Sequence, residues 1–148
     1  VQVKIKTSSL DSRDKRRDAH LRREDFFHVE KYPHMTFESS RILKTGPKTF
    51  DVEGTLELKG IKKKVTLKTE FKGQKKDHVG KESVFFRAET KILRKEFGIT
   101  WNKSIEGTDY LIGDEVTISL IVQAQPLGRK TAYSTHMIPD TEALANYA

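Results

Sequence analysis

Cysteine is absent from the 148 residues. That absence removes disulfides, thiolate metal sites and a cysteine nucleophile in one step, while leaving the compartment open. Long apolar runs are missing too: no stretch approaches the ~20 residues that a helical membrane span needs. No glycine-rich phosphate loop and no G-x-S-x-G elbow occurs. The histidines His20, His28 and His34 are spaced by eight and six residues, and neither HxH nor HxxxH is found. A compact metal motif is therefore not encoded there, and the chain reads as a protein that is not an enzyme and carries no cofactor. The chain opens at Val1, already within a strand pattern and with no signal-peptide pattern, so it is read as processed, trimmed or incomplete.

What is present is period-two alternation. Val1, Val3 and Ile5 alternate with polar neighbours, as do Met35, Phe37 and Ser39. Phe50, Val52, Gly54, Leu56 and Leu58 hold one face, followed by Val65, Leu67, Thr69 and Phe71. Phe86 to Ile92 and Val116 to Ala124 repeat the pattern. Such runs, separated by turns such as TGPK and KGIKK, predict an antiparallel meander curling into a barrel or sandwich. Hydrophobic residues make up 35% and charged residues 33%, a balance that suits strands with one wet face. Eight Phe, four Tyr and one Trp make the apolar minority bulky; such rings either line a cavity or fill a core. Gly54, in mid-strand, signals a bulge, a bend or the close approach of a ligand.

The segment RRDAHLRREDFFHVEKYPHMTF, Arg16 to Phe37, breaks this pattern. Asp14 is placed to cap a turn running to Leu21, with Asp18 and Arg22 spaced for an ion pair. Asp25 to Val29 reads as a second short turn ended before Pro33. Arg94 to Gly98 reads as another, stopped by Gly98. After Pro126 the alternation ceases. Residues 126–148 are expected to form a C-terminal extension that docks on a surface, with a short helix over Glu142 to Tyr147.

Net charge is +7, and Lys59, Lys62, Lys63, Lys64, Lys68, Lys72, Lys75 and Lys76 crowd one region. Two readings follow. A basic surface module would bind nucleic acid or anionic membrane. A solvated outer face with lysine-protected edges needs no partner. Phe71 falls out of phase with Lys68 and Lys72, and Lys63 is taken as an outer-face residue. These placements favour the second reading and argue against nucleic acid.

Four segments, in order, resemble the YceI-like family of lipocalin-like, polyisoprenoid-binding proteins. They are SSLDSRDKRRDAHLRREDFFHVEKYPHMTFESSRI, FDVEGTLELKGIKKKVTL, FRAETKILRKEFGITW and IGDEVTISLIVQAQ. The resemblance covers residues 1–125. It implies an all-β fold, an antiparallel lipocalin-like barrel with a short helical excursion, here lacking the family's opening strands. It implies non-enzymatic binding, storage or transport of a polyisoprenoid or other long-chain amphiphilic lipid, and a periplasmic or secreted location. A homodimer is expected from the exposed edge at Val1 to Lys6. Lys59 stands where many members carry His, which puts a shared polar contact there in doubt.

Inward parity and this resemblance together nominate a ligand lining: Phe26, Phe37, Phe50, Leu56, Leu58, Phe86, Ile92, Phe97, Trp101 and Leu120. Phe97 and Trp101 flank the FG turn and are expected to close one end. His20 is read either as a tether from the helical turn to a backbone carbonyl or as a headgroup contact at the pocket mouth.

Overall fold

A computed structural model describes residues 1–103 and 112–126, and the backbone strand at 133–138. The strands are β1 (Gln2–Lys6), β2 (His34–Lys44), β3 (Thr49–Leu58), β4 (Ile61–Lys76), β5 (Glu82–Leu93), β6 (Glu115–Pro126) and β7 (Tyr133–Ile138). They form one antiparallel sheet in sequence order. Between β1 and β2 lies one helix, α1 (Lys15–Leu21). β7 corrects the expectation for the tail. Residues 133–138 pair with β6 from Pro126↔Tyr133 to Ile121↔Ile138, although their sequence shows no alternation. The helix expected over Glu142 to Tyr147 lies outside the described residues.

The sheet is curled. Val3 of β1 and Leu120 of β6 line the same cavity, whereas five strand spacings in a flat sheet would separate them by roughly 24 Å. Phe37, Val52, Leu56, Leu67, Ala88 and Ile92 point into the concave side and are buried. Leu10, Leu21, Phe26 and Phe27 from the α1 region join the same core. Curling does not close the sheet. Among the described residues β1 pairs with β2 alone, and β7 with β6 alone. The architecture is thus an open, barrel-like sheet with a short helical excursion.

The local signals operate as their chemistry dictates. Asp14 caps α1, its carboxylate accepting from the backbone N–H of Arg16 and Arg17. The β3–β4 connection is the pair Lys59-Gly60, both at positive φ (51° and 75°), the geometry that suits a two-residue hairpin. Gly98 ends the 3₁₀ turn Arg94–Phe97 at φ 70°. The Asp18–Arg22 pairing does not form as expected. Asp18 instead accepts from the backbone N–H (2.8 Å) and hydroxyl (2.6 Å) of Ser12. Arg22 donates to the carbonyl of Leu10 (2.9 Å). Both residues tie α1 back to the strand-to-helix loop.

Gly54 marks a close approach within the sheet rather than to a ligand. β2 bulges between Ser39 and Arg41, directly across from it. A Cβ at position 54 would collide with the carbonyl oxygen of Glu38 and come within 2.5 Å of the Phe37 ring. Gly54→Ala is therefore expected to cost about 1–3 kcal/mol, the usual range for overpacking. Gly113→Ala, where nothing stands within 4 Å, is the control. Thermal unfolding of both variants checks this, and an unchanged midpoint for Gly54→Ala would contradict it.

The α1 carboxylates make stability depend on pH. The hydrogen bonds from Ser12 hold Asp18 below the usual aspartate range, and backbone donation from Arg17 does the same for Asp14. A depressed folded-state value stabilises the native state above the unfolded value, ~3.9. That contribution fades as pH falls through the lower folded value. Asp18→Asn should therefore be less stable than the parent at neutral pH, with the gap narrowing near pH ~3. Urea midpoints at the two pH values test it; a constant gap would mean that the charge is not what stabilises.

Candidate functional site

The concave face carries an apolar cavity of about 20 Å³, room for about one water-sized sphere. Phe37, Leu56 and Leu120, all nominated from sequence, line it, together with Val3, Ile5 and Leu67. No charged residue takes part in the lining. These side chains meet because cross-strand partners share a face: Phe37 stands opposite Val3 and Leu56 in its two ladders.

The other nominated residues go elsewhere. Leu58 is 2% exposed and packs into the core beyond this cavity. Phe26 and Trp101 sit together at one end, with ring centroids 5.5 Å apart. Ile92 and Phe97 border a second, larger opening between β4 and β5, of about 560 Å³. Phe50 is half-buried. Phe86 stacks edge-on against Phe71 at 5.6 Å. Neither Phe50 nor Phe86 lines either opening.

His20 occupies the aromatic end. Its ring meets those of Phe26 (4.9 Å) and Trp101 (4.6 Å) edge-on. Its Nε2 lies 3.3 Å from a carboxylate oxygen of Asp25. The tether expected to a carbonyl is thus made to a side-chain carboxylate. His20 packs the end of α1 onto Trp101 and remains half-exposed there.

Two cations organise this end, and sequence reading gave neither its role. Arg94 has no exposed surface. Its guanidinium donates to the carbonyls of Gly113 (2.8 Å), Ile99 (3.0 Å), Trp101 (2.8 Å) and Ile112 (3.4 Å), and to Asp114 (3.3 Å). A lysine has no fork to reproduce that set. Asp114 is held below the usual aspartate range, chiefly by its hydrogen bond from Lys95 and also by Arg94. Lys59 donates through Nζ to the carbonyls of Glu24 (2.5 Å) and Gly98 (3.3 Å). It pins the β3–β4 hairpin to the α1 loop and the FG turn. The stop at Gly98 pointed to the turn from Arg94; the carbonyl partners, remote in sequence, gave no signal.

Half of the lysine cluster is paired with carboxylates. Lys62 pairs with Glu57 (3.6 Å), Lys68 with Asp51 (2.6 Å), Lys72 with Glu70 (3.3 Å) and Lys76 with Glu82 (3.2 Å). Lys63 corrects its outer-face assignment. It stands opposite the buried Leu56 in the β3–β4 ladder and so takes the core-facing parity.

Residues 1–124 match the model of the YceI-like domain. A UPF0312 protein of Azotobacter vinelandii is 43% identical over 99 residues, which span 67% of this chain and 52% of that protein. Protein YceI of Salmonella arizonae is 42% identical over 100 residues, 68% of this chain and 52% of its own length. The chain thus spans about half the length of the curated relatives it matches. The crystal structure of a Campylobacter jejuni YCEI protein superposes with a TM-score of 0.75 at 32% identity, covering 84% of this chain and 71% of that one. Burkholderia cenocepacia BcnA gives a TM-score of 0.70 at 26% identity, covering 83% and 72%. With a family match over residues 1–124 and solved YceI structures superposing over most of its length, this chain belongs to the YceI-like family.

Proposed function

We infer that the chain is a non-enzymatic carrier of a long apolar chain, a polyisoprenoid or a comparable long-chain amphiphile, held against its concave face. The observation that carries this reading is the uncharged lining contributed by strands from β1 to β6. A ligand that is mostly methylene and methyl groups needs no polar partner inside. Each buried CH₂ contributes about 0.8 kcal/mol.

The cavity in this state is far smaller than such a ligand, so binding must displace side chains or use the open side of the sheet. Both are available. Met35 is half-buried at the cavity wall, and a flexible thioether repacks readily. β1 (Gln2–Lys6) leaves a five-residue edge unpaired among the described residues. The same edge supports a homodimer, since unpaired edges recruit strands. The family resemblance supports an exported, periplasmic or secreted location. A basic surface binding nucleic acid is the weaker reading, because half of the lysine cluster is paired with carboxylates on its own sheet.

Leu120→Arg tests the carrier reading. Leu120 lines the cavity while only half-buried, so the variant should fold while placing a charge among apolar groups, at a cost of several kcal/mol if it stays dry. Binding of a fluorescent isoprenoid is expected to fall at least about tenfold, a loss of ~1.4 kcal/mol, with Lys75→Ala unchanged. Equal binding by two folded variants would remove the concave face as the site. For the dimer, light scattering should give twice the mass of the 17.0 kDa chain; a monomer at high concentration would count against the edge pairing.

A further inference from the structure

β4 and β5 part half-way along their length. Their ladder runs from Lys76↔Glu82 to Lys68↔Glu89 and stops. Continued in register it would join Leu67 to Thr90, Thr66 to Lys91 and Val65 to Ile92, and none of these pairs forms. Each strand keeps its other neighbour. The β3–β4 ladder continues to Leu58↔Ile61, and the β5–β6 ladder to Leu93↔Glu115. The sheet therefore contains a slot, the opening of about 560 Å³ that Ile92 and Phe97 border.

Val65 and Thr90 line both this slot and the apolar cavity on the concave face. Val65 and Thr90 are therefore the side chains that stand between the slot and the cavity. The mouth of the slot is charged unevenly. Lys91 and Glu115 neutralise each other at 2.8 Å. Lys63 and Lys64 also border the slot, against the single further carboxylate of Glu96. Neither lysine makes an ion pair among the described residues. Lys63 in addition shares the strand face of Val65 and Leu67, so an exposed lysine borders the slot on the same parity as apolar residues.

We propose that this seam is a lateral portal for a single-chain amphiphile with an anionic head, carboxylate or phosphate, which Lys63 and Lys64 hold while the tail passes between Val65 and Thr90. The proposal rests on the carrier reading and adds to it the route and the head chemistry. An extended peptide pairing with the two free strand edges is the competing occupant. It is disfavoured because the β5 edge is free only from Thr90 to Leu93, and because it gives no role to a lysine on the apolar face.

The test uses the whole chain with cis-parinaric acid, the alcohol of the same chain, and a long-chain alkyl phosphate as competitor. Lys63→Gln with Lys64→Gln should weaken the acid and the phosphate about tenfold and leave the alcohol unchanged. If the acid alone weakens, the head is a carboxylate; if the phosphate alone, a phosphate. Thr66→Cys with Lys91→Cys, joined by a short bifunctional thiol reagent, closes the seam. The chain has no other cysteine to react. Joining should slow uptake of acid and alcohol alike by about tenfold against the unjoined variant. Thr90→Trp blocks the same passage from inside should the double variant not fold. Uptake as fast in the joined as in the unjoined protein overturns the portal, and equal acid binding by the glutamine variant overturns the head site. If Leu120→Arg abolishes binding while closing the seam changes nothing, the carrier reading stands and the portal falls. If the parent chain binds no probe, both fall. Hydrogen-exchange protection of the free β4 edge by an extended peptide, without competition from the acid, would give the slot to a peptide.

Discussion

A guanidinium with no exposed surface holds the end of this fold in place. A buried cation is tolerated only when its donors are satisfied, and Arg94 meets that condition with four carbonyls and one carboxylate. Those acceptors come from both sides of the connection between β5 and β6. Fixing them folds the Arg94–Phe97 turn beneath the sheet, where Phe97 is 1% exposed and Ile99 fully buried. Lys59 joins the same turn to the α1 loop from the opposite side. The end of the curled sheet is therefore closed by backbone carbonyls gathered around two cations, and the rings of Phe26, Trp101 and His20 pack onto that frame.

This arrangement explains why the sheet splits. β5 leaves the β4 ladder at Glu89 and stays with β6 as far as Leu93. Its next residue is the buried arginine. β4 is bound to β3 down to the Lys59-Gly60 turn. Each strand obeys one neighbour and is drawn from the other, so a gap in the hydrogen-bond ladder follows. Ile61 to Lys64 are exposed at both parities, as residues beside a gap must be.

What could be read from the sequence was local. The Asp14 cap, the Gly98 stop and the tight turn at Lys59-Gly60 depend on residues within a few positions, and period-two runs report a strand's own two faces. Phe37, Leu56 and Leu120 were legible as lining residues for that reason. Phe50 and Phe86 share the parity of their strands with lining residues, yet lie away from the cavity, because parity gives the face and not the height along the sheet. The roles of Arg94 and Lys59 were hidden, since their acceptors are mostly backbone carbonyls, up to 39 residues away. Lys63 was misread for a related reason: counting lysines describes a surface, while the Leu56 partner that sets its face belongs to another strand. β7 had no alternation to betray it, and its pairing is made through the backbone.

The small cavity and the wide slot belong together physically. A rigid, empty tunnel long enough for a lipid would leave its walls without contact partners, at a cost that grows with cavity volume. Filling the concave face with its own side chains avoids that cost in the ligand-free chain. A ligand then gains only the difference between its own burial and the contacts it displaces, which sets an upper limit on affinity well below the full transfer energy of its methylenes. A seam already free of ladder hydrogen bonds lowers the barrier to that exchange, because opening it breaks no backbone pair. Lys63 and Lys64, which make no ion pair among the described residues, border that seam, so on the proposed route a charged head would stay solvated while the tail enters. On the proposed carrier reading, cargo would exchange through the side of the sheet while the cation-held end stays intact.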